Sequence, residues 1–115
     1  MAATLNLPII EKGATYRHKL VWNDTMGVPI NLTGATAKMQ VRSSVTSPDI
    51  LLELNTENTR IIITPLAGAI ELIVSATDTS ALLGRGGAYD LEIIQTGSTT
   101  RLLEGKIVFK DEVTR

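Results

Sequence analysis

The stretch that decides the fold runs from Gly86 to Ile94 and reads GGAYDLEII. After two glycines, apolar and acidic side chains alternate, so that Tyr89, Leu91 and Ile93 share one phase. Successive side chains of a β-strand point to opposite faces of its sheet. This stretch therefore predicts a strand that turns one face towards a core.

The segment before this strand is the one candidate for helix. It spans Thr77 to Leu83, with Thr77 or Asp78 as its cap and Gly84 at its end. A helical turn that leads into a tyrosine is the layout of the tyrosine corner of immunoglobulin-like sandwiches. The phenol of Tyr89 would then bond an upstream main-chain group and fix the crossover between sheets. The alternative is a tyrosine that only packs at a strand end.

Alternation with a period of two recurs along the chain, whereas helical spacing is almost absent. The inward rows are Tyr16, His18, Leu20 and Trp22; Ala35, Ala37, Met39 and Val41; Ile50, Leu52 and Leu54; Ile70, Leu72 and Val74; and Leu103, Ile107 and Phe109. Segments around Thr4–Ile10 and Ile61–Thr64 add two strands, and turn signals such as Thr96-Gly97-Ser98 separate the strands at short intervals. This pattern predicts an all-β sandwich or barrel.

Composition limits both the organisation and the function. The chain has 115 residues, which is enough for one domain over residues 1–115. Eleven basic and twelve acidic residues are dispersed singly, which disfavours binding to nucleic acid or to a membrane surface. The absence of cysteine excludes disulfides, cysteine-ligated zinc and thiol catalysis. The N-terminus does not resemble a signal peptide, so we expect a soluble protein made in the cytoplasm.

The sequence offers no candidate catalytic, cofactor-binding or metal-ligating residues. His18 is the only histidine and lies in an inward row, which favours a structural role. The Gly84-Arg85-Gly86-Gly87 run lacks the lysine and the strand-to-helix context of a phosphate-binding loop. The carboxylates are spread over the chain and form no acid–base couple. We therefore expect a protein that is not an enzyme and uses no cofactor or small-molecule substrate.

A set of apolar residues falls on the outward phase of the predicted strands. They are Val21, Leu51, Ile62, Ile73, Ile94 and Val108. They are either the scatter found on any protein surface or an outer face that packs against another subunit. On the second interpretation the interface is predicted at Ile73, Ile94 and Val108. Ile94 and Val108 are then expected to lie close together across the hairpin formed by the last two strands.

Several segments resemble small virion proteins of tailed bacteriophages and prophages. They are Trp22-Asn23-Asp24 with its turn, Val28-Pro29-Ile30-Asn31-Leu32-Thr33-Gly34, the Gly-rich turn before Tyr89, and Arg101-Leu102-Leu103-Glu104-Gly105-Lys106-Ile107-Val108. The chain is most similar to the N-terminal domain of the baseplate upper protein family, over about residues 12 to 110.

This resemblance implies an immunoglobulin-like antiparallel β-sandwich of about 7–9 strands with one short helical turn. It also implies a multi-copy subunit of a tail, baseplate, neck or capsid that contacts other virion proteins and copies of itself. No catalytic residues carry over. The alternative is a carbohydrate-binding β-sandwich module, which would need exposed aromatic rings. The chain has only Tyr16, Trp22, Tyr89 and Phe109, mostly in inward phase.

Overall fold

The computed structural model describes residues 3–112, which form nine strands and two short helical segments. The strands are β1 (Ala3–Thr4), β2 (Ile10–Glu11), β3 (Tyr16–Val21), β4 (Thr36–Arg42), β5 (Leu52–Asn55), β6 (Ile61–Thr64), β7 (Ala69–Val74), β8 (Gly86–Gln95) and β9 (Ser98–Lys110). A 3-10 turn covers Pro65–Ala67, and helix α1 covers Ala76–Ser80. A short helical turn is therefore confirmed, although Ser75 caps it in place of Thr77 or Asp78 and it ends at Ser80 rather than at Leu83 and Gly84.

The strands form two sheets. The larger has the order β1-β9-β8-β4-β5, with β2 also pairing with β9, and the smaller has the order β3-β7-β6. In immunoglobulin folds strands B, E and D form one sheet, and strands C, F and G form the other. Here β3, β7 and β6 occupy the B, E and D positions, while β4, β8 and β9 occupy C, F and G. The predicted immunoglobulin-like sandwich is confirmed.

The core lies between the two sheets and is almost entirely aliphatic. Its fully buried members include Ile10, Leu32, Met39, Leu54, Ile61, Ile70, Leu72, Leu91 and Ile107. The alternation predicted for β4, β7 and β8 is confirmed. In β3 only Tyr16 is buried, whereas His18, Leu20 and, directly after the strand, Trp22 are half-buried. The inward row of β3 is less covered because β3 is an edge strand of the smaller sheet.

Tyr89 forms its hydrogen bond with the N-terminal segment rather than at the crossover between the sheets. Its hydroxyl donates to the carbonyl oxygen of Leu5 at 2.5 Å. Gly105 lies directly opposite Tyr89 on β9, and a Cβ atom at Gly105 would collide with the Leu5 carbonyl. The predicted bond to an upstream main-chain group is confirmed, but its acceptor lies directly after β1. The tyrosine-corner role at the β7–β8 crossover was therefore wrong.

Tyr16 provides a matched contrast to Tyr89, because its hydroxyl is buried and pairs with no described residue. We expect Tyr89→Phe to lower the free energy of unfolding by about 1–2 kcal/mol, since it removes the partly buried hydrogen bond to the Leu5 carbonyl. Tyr16→Phe removes an unpaired polar group and is expected to be neutral or slightly stabilising. Urea unfolding of the two variants measures this difference. Equal losses in both would show that the Tyr89 hydroxyl does not hold Leu5.

Candidate interaction surfaces

The outer face of the larger sheet carries charges that compensate one another. The guanidinium of Arg101 lies 3.6 Å from the Asp90 carboxylate and 3.5 Å from that of Glu92. Gln40 donates to Glu53 at 2.7 Å and accepts from Arg42 at 3.0 Å. The Arg101 and Gln40–Glu53 contacts join neighbouring strands, and the Arg42–Gln40 bond runs along β4. The face is therefore a mixed-charge surface rather than a field of one sign.

His18 and the run from Gly84 to Gly87 lie in different parts of the fold. His18 is half-buried on β3 opposite Leu72. Gly84 and Gly86 adopt φ angles of 80° and 90° where the chain bends into β8, which fits a tight turn. Within residues 3–112 no three His, Asp or Glu side chains are grouped so that they could hold a metal ion. Neither helical segment of this range is long and apolar enough to span a membrane.

The three predicted interface residues do not share one surface. Ile94 pairs with Thr99 near the hairpin turn, whereas Val108 pairs with Gly86 at the far end of β8. Eight residues along a strand span about 26 Å, so the expected proximity of Ile94 and Val108 was wrong. Ile73 lies on β7, in the other sheet.

The outer face of the smaller sheet instead collects three of the outward apolar residues. They are Val21 on β3, Ile62 on β6 and Ile73 on β7, of which Val21 is 54% and Ile62 47% exposed. Ile62 pairs with Glu71, two residues before Ile73, so Ile62 and Ile73 are diagonal neighbours about 7–8 Å apart. Leu51, which was expected on an outer face, packs half-buried against the core.

An apolar groove opens where the β1–β9 edge of the larger sheet meets the β3 edge of the smaller one. Its volume is about 310 Å³, and its lining residues are Ala3, Leu5, Leu20, Val21, Trp22, Leu102 and Leu103. Leu5 is 41% exposed. A β-bulge between Leu91 and Glu92 contributes to the groove, because β9 there has an extra residue and both Leu102 and Leu103 become half-buried. The sequence signal for this bulge is the adjacent leucine pair, which breaks the alternation of β9.

The aromatic residues divide between the core and this groove. Tyr16, Tyr89 and Phe109 are buried, and Trp22 is half-buried in the groove.

Compared with protein-family models and with curated proteins, the sequence matches none.

Proposed function

We propose that the chain is a structural virion component of a tailed bacteriophage. It would serve as a tail, baseplate or neck adaptor or as a capsid decoration subunit, acting through protein–protein contacts in a multi-copy assembly. The observation that carries this proposal is the apolar groove beside Trp22. The resemblance to the baseplate upper protein family supports the choice of assembly.

The groove suits a contact with another protein. Its walls come from strands β1, β3 and β9, which belong to both sheets, and from Leu5 and Trp22 directly after β1 and β3. Continuous apolar area at a surface commonly marks an interface. Complete burial of side chains such as Leu5 and Val21 stabilises a contact by about 1.5–3 kcal/mol each. Such modest contacts become strong when many copies bind together.

One observation favours the alternative of a carbohydrate-binding module. Trp22 is the aromatic side chain that stays partly exposed among residues 3–112, and it lies in the groove. A single ring without an exposed aromatic neighbour offers little area for stacking on sugars. A glycan array tests the alternative. Specific sugar binding that Trp22→Ala abolishes would replace the virion proposal.

Mass spectrometry of purified particles tests the main proposal directly. Particles from the phage or induced prophage that encodes this chain should contain it in many copies. A chain that is expressed during infection but absent from purified particles would overturn the proposal.

Val21→Glu is expected to leave the domain folded and to lower its incorporation into particles by at least about ten-fold. The carboxylate lies in water on the free domain but would have to lose its hydration inside a covered groove. Complementation with the variant, followed by quantitative mass spectrometry of the particles, measures this effect. Val45→Glu is the control, because Val45 is exposed in the loop after β4 and outside the groove. Equal incorporation of both variants would place the contact elsewhere.

A further inference from the structure

We infer that strand β6 is a self-association edge, which pairs antiparallel with β6 of a second copy of this chain. The inference rests on the proposed multi-copy role and names the contact between copies. It joins two three-stranded sheets into one continuous sheet across a two-fold axis. Three observations support it: the outward main-chain groups of β6, its uncharged side chains, and the protection of the edges at β3 and β5.

The main-chain groups of Ile61 and Ile63 point away from the domain's own sheet. The amide of Ile73 on β7 donates to the carbonyl of Arg60 at 2.8 Å. Hydrogen-bonded and non-hydrogen-bonded residues alternate along an antiparallel pair. Ile62 and Thr64 therefore bond to β7, while the amides and carbonyls of Ile61 and Ile63 face outwards. Among residues 3–112, β6 pairs with no strand except β7.

The side chains of β6 lack the features that usually prevent edge pairing. The strand reads Ile-Ile-Ile-Thr, without charge, and Ile62 is 47% exposed. Natural edge strands are commonly protected by charged side chains, by proline within the strand or by covering groups. The proline nearest to β6 comes only after its end, at Pro65. This edge is therefore open to another uncharged strand.

The opposite edge of the smaller sheet is protected by charge. There β3 exposes Arg17 and Lys19, which have no ion-pair partner among residues 3–112. The amide of Trp22 donates to the carbonyl of Gly68, so the main-chain groups of Arg17, Lys19 and Val21 face the open side. Symmetric pairing centred on β3 would set Lys19 against Lys19 of the partner subunit. Like charges placed directly opposite are destabilising.

The β5 edge of the larger sheet is closed by side chains. The carbonyl of Glu53 accepts from Arg60 Nη1 at 2.9 Å and from Asn58 Nδ2 at 3.1 Å. The amide of Asn55 donates to Asn58 Oδ1 at 3.1 Å. An incoming strand would therefore find two outward groups of β5, the Glu53 carbonyl and the Asn55 amide, already occupied. Of these three edges, only that of β6 is both open and uncharged.

The alternation of hydrogen bonds fixes the register of the symmetric pair. The main chain of Ile61 bonds to that of Ile63 of the partner subunit, and Ile63 bonds in the same way to Ile61 of the partner subunit. Ile62 therefore faces Ile62 of the partner subunit. That central pair is of the non-hydrogen-bonded type, in which side chains approach most closely. Ile73 lies diagonally beside Ile62 on the same outer face. The two-fold axis therefore unites the Ile62–Ile73 pairs of both copies in one apolar stripe.

The contact is expected to be weak on its own. A four-residue edge buries far less than the roughly 1,200 Å² typical of a stable interface. Copies held side by side in an assembly would gain from it because their effective concentration is high. Isolated protein should therefore be monomeric at micromolar concentration and dimerise at about millimolar concentration.

Amide hydrogen exchange of the full chain, followed by NMR at low and high protein concentration, tests the inference. We expect the Ile61 and Ile63 amides to become protected as concentration rises, while those of Arg17, Lys19 and Val21 do not change. Protection on β3 alone, or no concentration dependence up to the solubility limit, would overturn it.

Ile62→Lys is the matching variant and is expected to weaken dimerisation at least about ten-fold, since two like charges would face each other. Ile94→Lys makes the same change on the outer face of the larger sheet and is expected to have no effect. Sedimentation equilibrium measures both, and equal dimerisation of the two variants would contradict the inference. These measurements need no particle, so their failure is distinct from failure of the virion proposal, which the particle analysis decides.

Discussion

Raising the pH from 9 to 12 is expected to remove about 2–3 kcal/mol of stability for each of the two buried tyrosines. Burial raises the pKa of Tyr16 to about 12, and the neighbouring Tyr89 adds to this effect. Burial alone raises the pKa of Tyr89 to about 12. A combined loss of this size is a large part of the roughly 5–15 kcal/mol that stabilises a domain.

The direction of this change in stability follows from the pH at which the folded and unfolded states release their tyrosine protons. In the unfolded chain both phenols ionise near their ordinary pKa of about 10. In the folded domain they stay protonated up to about pH 12. Between these values the unfolded state binds fewer protons, so stability falls as the pH rises. Below about pH 10 the two states bind the same number of tyrosine protons, and this contribution is fully present.

Urea unfolding at a series of pH values measures the loss, with Tyr16→Phe and the Tyr16→Phe/Tyr89→Phe double variant as controls. The single variant should lose about half of the pH dependence above pH 10, and the double variant nearly all of it. Lysine side chains in general also titrate in this pH range. The double variant isolates their contribution. An unchanged slope in the double variant would assign the alkaline sensitivity to the lysines.

The sandwich could be predicted from the sequence because burial on one face leaves a period of two. Met39 and Val41 on β4 and Leu91 and Ile93 on β8 are buried as that period requires. The coverage of Trp22 was not predictable, since it depends on which strand forms an edge. Edge position is decided by pairing between strands that are distant in sequence, such as β3 with β7.

Only part of the candidate interface could be predicted from the sequence. The outward phase of Val21, Ile62 and Ile94 was predicted, and all three are exposed. Which of them share a face depends on sheet membership, and the alternation of a single strand contains no information about its sheet. The separation of Ile94 from Val108 was readable from the sequence, because the two lie at different distances from the Thr96-Gly97-Ser98 turn.

The groove was missed because it depends on the bulge in β9. Strict alternation would place Leu102 and Leu103 on opposite faces, but both are half-buried and line the groove. A β-bulge adds one residue to one strand and thereby changes the direction of its side chains. The position of this bulge depends on the pairing of β9 with β8. In the sequence of β9, the only sign of the bulge is the pair of adjacent leucines.

Gly105→Val is expected to destabilise the domain by about 3–5 kcal/mol, because it displaces the N-terminal strand. A Cβ at this position would meet the main-chain carbonyl of Leu5, which no side-chain rotation can relieve. Moving that carbonyl breaks its bond with Tyr89. It also withdraws Leu7 and Ile10 from the core, where both are buried.

Urea unfolding measures the loss, and amide exchange locates it. The amides of Leu5 and Leu7 donate to carbonyls of Glu104 and Lys106 at 2.9 and 3.1 Å, so both should lose protection in the variant. Ala88→Val is the control. Ala88 lies on β8, is half-buried opposite Lys106 of β9, and takes no part in the hydrogen bond between Tyr89 and Leu5.

The effect of Gly105→Val should not add to that of Tyr89→Phe, since both substitutions act on the same Leu5 carbonyl. Once the strand is displaced, removing the Tyr89 hydroxyl should cost little more, so the double variant should resemble Gly105→Val alone. Fully additive losses, with the Leu5 and Leu7 amides still protected, would show that the glycine and the tyrosine act on different parts of the domain. Non-additive losses with loss of that protection would identify Gly105 as the residue that lets the first strand reach Tyr89.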